Sequence, residues 1–178
     1  MEKYISKEYK KQLQEYHKTH QRWGGAVRGR QNELHMYMKM TNSSSILDYG
    51  AGNSDYKRTV GWTWEDPGYT IHEYEPGKPE LAGDPPICDA SICIDVMEHV
   101  ETDKVDNVIK HIYDKTNNWT YQTIALTAAS GSFSERQNLH LTIKPADWWL
   151  EKLTPYWDLL KTNITGGNIL HFIGVKKS

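Results

Sequence analysis

Phenylalanine is nearly missing from this chain, which has two, against eleven tyrosines and seven tryptophans. Its aromatic surface is carried by rings with a polar handle, which suit a pocket wall as well as a core. Cysteine is equally scarce: Cys88 and Cys93 alone exclude a disulfide framework and lack the paired spacing of a zinc site. Reduced, packed thiols in a cytoplasmic protein are the expectation. No apolar run is long enough to span a bilayer, and the opening Met1-Glu2-Lys3-Tyr4 is charged where a secretory leader would be apolar. No membrane association is expected. An excess of one charge is absent as well: 21 Lys and Arg against 23 Asp and Glu leave a formal charge of -2, with no overall pull towards nucleic acid or anionic lipid. A length of 178 residues suits one domain with a substantial core.

What is present alternates between two periods. Ile5, Tyr9, Leu13 and Tyr16 recur at helical spacing among lysines and glutamates, predicting a helix over 3–20 that lies on the domain. Trp23-Gly24-Gly25 breaks it, and 28–40 resumes with Leu34, Tyr37 and Met38 on one side. Residues 1–41 thus form an N-terminal helical segment. Strands are predicted at 46–47, 69–74 and 90–94, with a short helix over 53–60 and a loop over 61–68. Residues 76–89 hold four of the seven prolines and read as loop. Thr102 or Asp103 is the expected N-cap of a helix carrying Val105, Val108, Ile109 and Ile112. A strand over 119–128 follows, then a polar loop over 130–144. Pro145 suits the first position of a helix with Trp148, Trp149, Leu150 and Leu153. A hairpin over 157–175, turning at Thr165-Gly166-Gly167-Asn168, closes the chain. Strands alternating with helices before a hairpin predict an α/β fold with a mostly parallel sheet and a C-terminal antiparallel hairpin.

The organising stretch is Ser45-Ile46-Leu47-Asp48-Tyr49-Gly50-Ala51-Gly52-Asn53-Ser54. An apolar run, an acid and two glycines describe a strand that turns sharply, where the backbone can approach a ligand closely. Glu75-Pro76 follows the next apolar stretch, and Ile92-Cys93-Ile94-Asp95-Val96-Met97-Glu98-His99-Val100 the one after. At these residues the chain resembles class I S-adenosylmethionine-dependent methyltransferases, whose first motif is acid-x-Gly-x-Gly-x-Gly and whose fourth strand often ends in Asp-Val-Leu-Glu-His-Val. Ser54 stands where the third glycine is usual, and Met97 where leucine is. The resemblance runs from about Ser43 to the C-terminus and implies a Rossmann-like fold.

It also implies roles. The backbone at Gly50, Ala51 and Gly52 would pass the methionyl and ribose parts of S-adenosylmethionine, Asp48 would accept from its amine, and Glu75, or Glu73 if the strand ends earlier, would take the ribose hydroxyls. Asp84 could meet the adenine, although Asp84-Pro85-Pro86 reads as loop. Trp23 and Gly24 are either a lid over the cofactor or a plain turn. Asp95 adjoins the cofactor and, if the chain turns helical after it, shares one face with Glu98 and His99. Plant small-RNA 2′-O-methyltransferases and ubiquinone-pathway O-methyltransferases show a similar acid-x-x-Glu-His cluster on a divalent ion. Here Asp95, Glu98, His99 and His140 are either ligands for Mg²⁺ or Mn²⁺ or a hydrogen-bonded network. His140 is the first candidate for general base, ahead of His99. The stretch 136–150 resembles small bacterial and phage-type methyltransferases with Asn-x-His-Leu and a later Pro-x-x-Trp-Trp, in which one of Trp148 and Trp149 could floor the acceptor pocket. The implied activity is methylation of a hydroxyl on a small-molecule or sugar-like acceptor. RNA 2′-O-methylation, or a non-catalytic cofactor-binding partner subunit, are the alternatives; the lysines and arginines between Lys10 and Arg30 motivate the first.

Overall fold

The computed structural model describes residues 3–20, 30–53, 68–134 and 137–178. Ser6 opens the first helix, α1 (Lys7–Thr19), its hydroxyl accepting from the Tyr9 N–H at 3.1 Å. The buried stripe of this segment is Ile5, Tyr9, Leu13 and His17, while Tyr16 is half-buried, because the spacing of four continues to His17. Next come α2 (Gln31–Met40), β1 (Ser45–Tyr49), β2 (Thr70–Tyr74) and β3 (Cys88–Ile94). Among the described residues the strand that the resemblance ranks fourth is thus third in chain order. Short 3₁₀ turns at Met97–His99 and Thr102–Lys104 lead into α3 (Val105–Asp114). Neither Thr102 nor Asp103 caps that helix: Lys104 holds the cap position without a side-chain bond, and the Thr102 hydroxyl pairs with that of Thr142 instead.

β4 (Thr116–Ala125) follows. The expected loop beyond it contains a small antiparallel pair, β5 (Ser132–Ser134) and β6 (Gln137–Asn138). Pro145 caps α4 (Ala146–Leu153) from just outside it, and the hairpin β7 (Trp157–Thr165) and β8 (Ile169–Lys176) ends the fold. The main sheet has the order β2-β1-β3-β4-β8-β7. Its first three neighbour pairings are parallel, and its last two antiparallel.

Both faces of this sheet are covered. Leu34, Tyr37 and Met38 of α2 pack on Ile46, Ile92, Trp119 and Ile173, whereas α3 and α4 bring Val108, Ile109, Ile112, Trp149 and Leu153 against Leu47, Cys93 and Phe172. The strand period of two divides the residues: Ile46 faces α2 and Leu47 faces α3. Two covered faces explain why β3 is apolar along nearly its whole length. The order also creates a switch point. From β1 the chain moves outward to β2, then crosses back to place β3 on the other side of β1, so the loops leaving β1 and β3 diverge and leave a crevice at their C-terminal ends.

Candidate active site

A cavity of about 350 Å³ lies at that crevice, and α1 is laid across it. On the β1 side, Gly50 has φ +83° and Gly52 φ +59°. A Cβ on Gly50 would stand 2.5 Å from Val96 Cγ2, so the two diverging loops touch at a point where only glycine fits. The N–H groups of Gly50 and Ala51 donate to the Tyr74 carbonyl at 2.8 and 3.1 Å. Glu75, just past β2, is 6% exposed and accepts from the N–H of Gly52 (2.9 Å) at Oε2 and of Gly77 (2.8 Å) at Oε1. His17 Nε2 stands 3.5 Å from Oε1. Asp48 lies one residue before the end of β1, buried, and is not in the cavity wall. Glu73 is inside β2, so Glu75 is the acid at the strand end. Trp23 and Gly24 lie outside the described residues.

On the β3 side, Asp95 takes a left-handed backbone, φ +54°. Thr123 compensates: its carbonyl and hydroxyl accept from the Asp95 N–H at 3.0 and 3.1 Å, and its hydroxyl donates to Asp95 Oδ1 at 2.7 Å. This corrects the expected placing of Asp95 on one helical face with Glu98 and His99. The left-handed residue redirects the chain before the 3₁₀ turn begins at Met97. Among the described residues, the ligand-type atoms of Glu98, His99 and His140 alone gather within 4.8 Å of one another.

The environment of these three is distinctive. Glu98 is 1% exposed; the Ala125 N–H donates to Oε1 at 3.1 Å, and Oε2 has no partner among the described residues. Burial pushes its carboxyl up to about 8, with Asp95 adding to the rise. At neutral pH Glu98 is therefore largely a carboxylic acid. His99 Nδ1 is 2.9 Å from the Leu139 carbonyl and His140 Nδ1 is 2.6 Å from that of Thr127. A carbonyl only accepts, so each Nδ1 carries the proton and each Nε2 keeps its lone pair. Burial holds His99 down to about 4, against the opposing pull of the Leu139 carbonyl. The rings stand 4.9 Å apart, nearly perpendicular.

Aromatic residues complete the wall, as the tyrosine surplus foreshadows. Tyr4, Tyr9, Tyr49 and Tyr74 line the cavity. The Tyr49 hydroxyl lies 2.9 Å from His111 Nδ1, and Tyr4 stacks on the His111 ring at 4.1 Å. The tryptophan pair does not contribute: Trp149 is buried in the core, and Trp148 is half-buried beneath the ammonium groups of Lys144 and Lys152, so neither floors the cavity. Asp84 is turned away as well, exposed and paired with Lys115 at 2.6 Å.

No protein-family model and no curated protein matches the chain. Solved structures do. The 1,6-didemethyltoxoflavin-N1-methyltransferase of Burkholderia thailandensis, determined with 1,6-didemethyltoxoflavin and S-adenosylhomocysteine, superposes with a TM-score of 0.64 at 16% identity, over 96% of this chain and 90% of that one. The chain has the class I methyltransferase fold. Magnesium protoporphyrin IX methyltransferase of Synechocystis PCC 6803, with bound S-adenosylhomocysteine, gives a TM-score of 0.55 at 12% identity over 97% of this chain and 99% of that one. The N-methyltransferase NodS of Bradyrhizobium japonicum WM9, also with S-adenosylhomocysteine, gives 0.54 at 10% identity over 96% and 99%.

Proposed function

We propose that the protein is an S-adenosylmethionine-dependent methyltransferase whose acceptor is a hydroxyl on a small molecule. The observation that carries this reading is one cavity with two unlike ends at the switch point: a glycine turn with a buried carboxylate at one, and an acid with two imidazoles at the other. The S-adenosylhomocysteine bound to proteins of this fold supplies the cofactor class. At the first end, Glu75 uses one lone pair on each oxygen to hold the loops after β1 and β2, and its remaining lone pairs suit ribose hydroxyls. Asp95, held by Thr123, adjoins the cofactor at the β3 end, and Asp48 acts on it through intervening groups. No helix among the described residues is long and apolar enough to cross a membrane. The buried free thiols Cys88 and Cys93 suit a reducing, cytoplasmic setting.

In the reaction the sulfonium S–CH₃ bond breaks with its electron pair going to sulfur, an O–CH₃ bond forms, and the acceptor proton must leave. Alignment supplies much of the rate in such a displacement, on the order of 7 to 11 kcal/mol in well-oriented systems. His99 is a poor proton acceptor at neutral pH, because burial makes its imidazolium costly. His140, half-buried and oriented by the Thr127 carbonyl, is the imidazole for that step.

The same residues fit a divalent cation. Glu98, His99 and His140 each offer one ligand atom, a three-donor set of one carboxylate oxygen and two imidazole nitrogens. Two nitrogens and one carboxylate suit Mn²⁺ better than Mg²⁺, which takes oxygen ligands. A bound cation would polarise the acceptor oxygen and lower the pKa of its hydroxyl. This is the feature favouring a 2′-hydroxyl acceptor on RNA as a second reading. The test is transfer of labelled methyl from S-adenosylmethionine to panels of small hydroxylated acceptors and short RNAs, with Mn²⁺ or chelator. Transfer to a small hydroxyl acceptor, lost in His140→Ala, supports the first reading; transfer to RNA alone replaces it with the second.

A further inference from the structure

The Tyr9 hydroxyl is a buried donor with nothing to bond among the described residues. Tyr9 is 5% exposed, its side chain is in the cavity wall, and no described group is within hydrogen-bond reach of its oxygen. Leaving such a group buried and unmet costs about 1 to 3 kcal/mol, so an occupant of the cavity that accepts from it recovers that cost. The ring is not free to turn elsewhere. It meets Phe133 edge-on at 5.6 Å, and Ile5 and Leu13 of the same helical stripe pack with Phe133 and Leu141. The backbone beneath it is tied at both ends: the Ser6 N–H donates to Glu101 Oε2 at 2.8 Å, and the Asn53 side-chain amide donates to the carbonyls of His17 and His20, both at 3.2 Å.

The surroundings say what the occupant must offer. The carboxyl groups of Glu75, Glu101 and Glu98 share this wall with the phenol, Glu75 at the ribose-binding end and Glu98 at the reacting end. Among the described residues the wall carries Glu75, Asp95, Glu98 and Glu101 but no lysine or arginine. An anionic group of a ligand that reaches this wall therefore meets O–H and N–H donors rather than a lysine or arginine of the described residues. Resting on the methyl-donor reading above, we infer that Tyr9 is a cofactor-binding residue whose hydroxyl donates to the methionyl carboxylate of S-adenosylmethionine, making α1 the element that closes over that end of the cofactor.

The experiment is calorimetric titration of the wild type and Tyr9→Phe with two probes: S-adenosylhomocysteine, which carries the carboxylate, and 5′-methylthioadenosine, which lacks the whole amino-acid end. Phenylalanine keeps the contact with Phe133 and removes only a partnerless oxygen, so the ligand-free variant melts no lower than the wild type. The expected result is a loss of roughly tenfold or more in affinity for S-adenosylhomocysteine, as for a hydrogen bond to a charged group, with methylthioadenosine unchanged to within about twofold. Equal affinity of both proteins for S-adenosylhomocysteine, or an equal loss for the two probes, overturns the assignment. Failure of the wild type to bind S-adenosylhomocysteine overturns the cofactor reading itself, a separate outcome.

Discussion

The two ends of the cavity are built on opposite plans. At the β1–β2 end the polar groups hold one another: both oxygens of Glu75 already accept from backbone N–H groups. At the β3–β4 end, Glu98 Oε2 has no partner among the described residues, and the Nδ1 of each imidazole lies against a backbone carbonyl. The first plan makes a rigid cradle that a ligand enters without rearrangement. The second stores cost, visible in the raised Glu98 and lowered His99, that a bound proton, cation or substrate can relieve. On the proposed reading, rigidity sits where the cofactor would be placed and tension where the acceptor proton would move.

Substitutions at each end sharpen that contrast. The largest effect is expected at the cradle, for Gly50→Val. With φ +83° and Val96 2.5 Å from the new Cβ, backbone strain and overpacking together cost about 2 to 5 kcal/mol in chemical unfolding. Gly68→Ala, at φ +80° in open space, isolates the strain and should cost only about 1 to 2 kcal/mol. Equal losses for the two would mean that the close approach of the β1 and β3 loops is unimportant.

The open end should reveal itself through pH. Glu98 binds its proton more tightly folded than unfolded, so its contribution is full below its ordinary value of 4.5 and lost as pH rises to about 8. That loss is on the order of 5 kcal/mol as an upper bound. His99 works in the other direction, stability falling as pH drops from 6.5 to about 4. Between pH 6.5 and 8 Glu98 acts alone, and Glu98→Gln should flatten the decline there; melting curves across that range check it. The same proton competes with a cation, so Mn²⁺ affinity should rise with pH up to about 8.

Smaller again is Glu75→Gln, which leaves one of the Gly52 and Gly77 N–H groups facing an amide NH₂; about 1 to 3 kcal/mol of stability should go, together with affinity for S-adenosylhomocysteine. A stability loss with unchanged affinity would make Glu75 a structural brace only. The smallest effect is expected for Asp84→Ala. Its carboxylate is exposed and turned to Lys115, so cofactor affinity should not move.

Much of this plan was legible along the chain because it is written locally. The run from Ser45 to Asn53 has its strand, acid and glycines in consecutive positions, and the Gly166-Gly167 turn announces the closing hairpin in the same way. What was not legible depends on contacts between distant segments. Asp95 escapes a helical reading because Thr123, on the next strand, holds it left-handed. The β5–β6 pair has too few residues for a strand period, and Phe133 is held there by Tyr9 and Tyr16 of the N-terminal helix. Helical period offers one of Trp148 and Trp149 as a pocket floor because it does not reveal that Trp149 is core and that two lysines lie over the Trp148 ring. Tyr9 was visible as one member of an apolar stripe; that its hydroxyl would end in a cavity without a partner follows only from the way α1 is tied across the crevice.

The central claim is that the crevice between β1 and β3 is a cofactor site, and the most direct measurement is calorimetric titration of the wild-type protein with S-adenosylhomocysteine, once with Mn²⁺ and once with chelator. Saturable binding of one ligand per chain in both conditions is the expected result, since the cradle of Gly50, Gly52 and Glu75 shares no residue with the Glu98–His99–His140 cluster. No heat of binding in either condition would contradict it, and would return the glycines and Glu75 to a purely structural role.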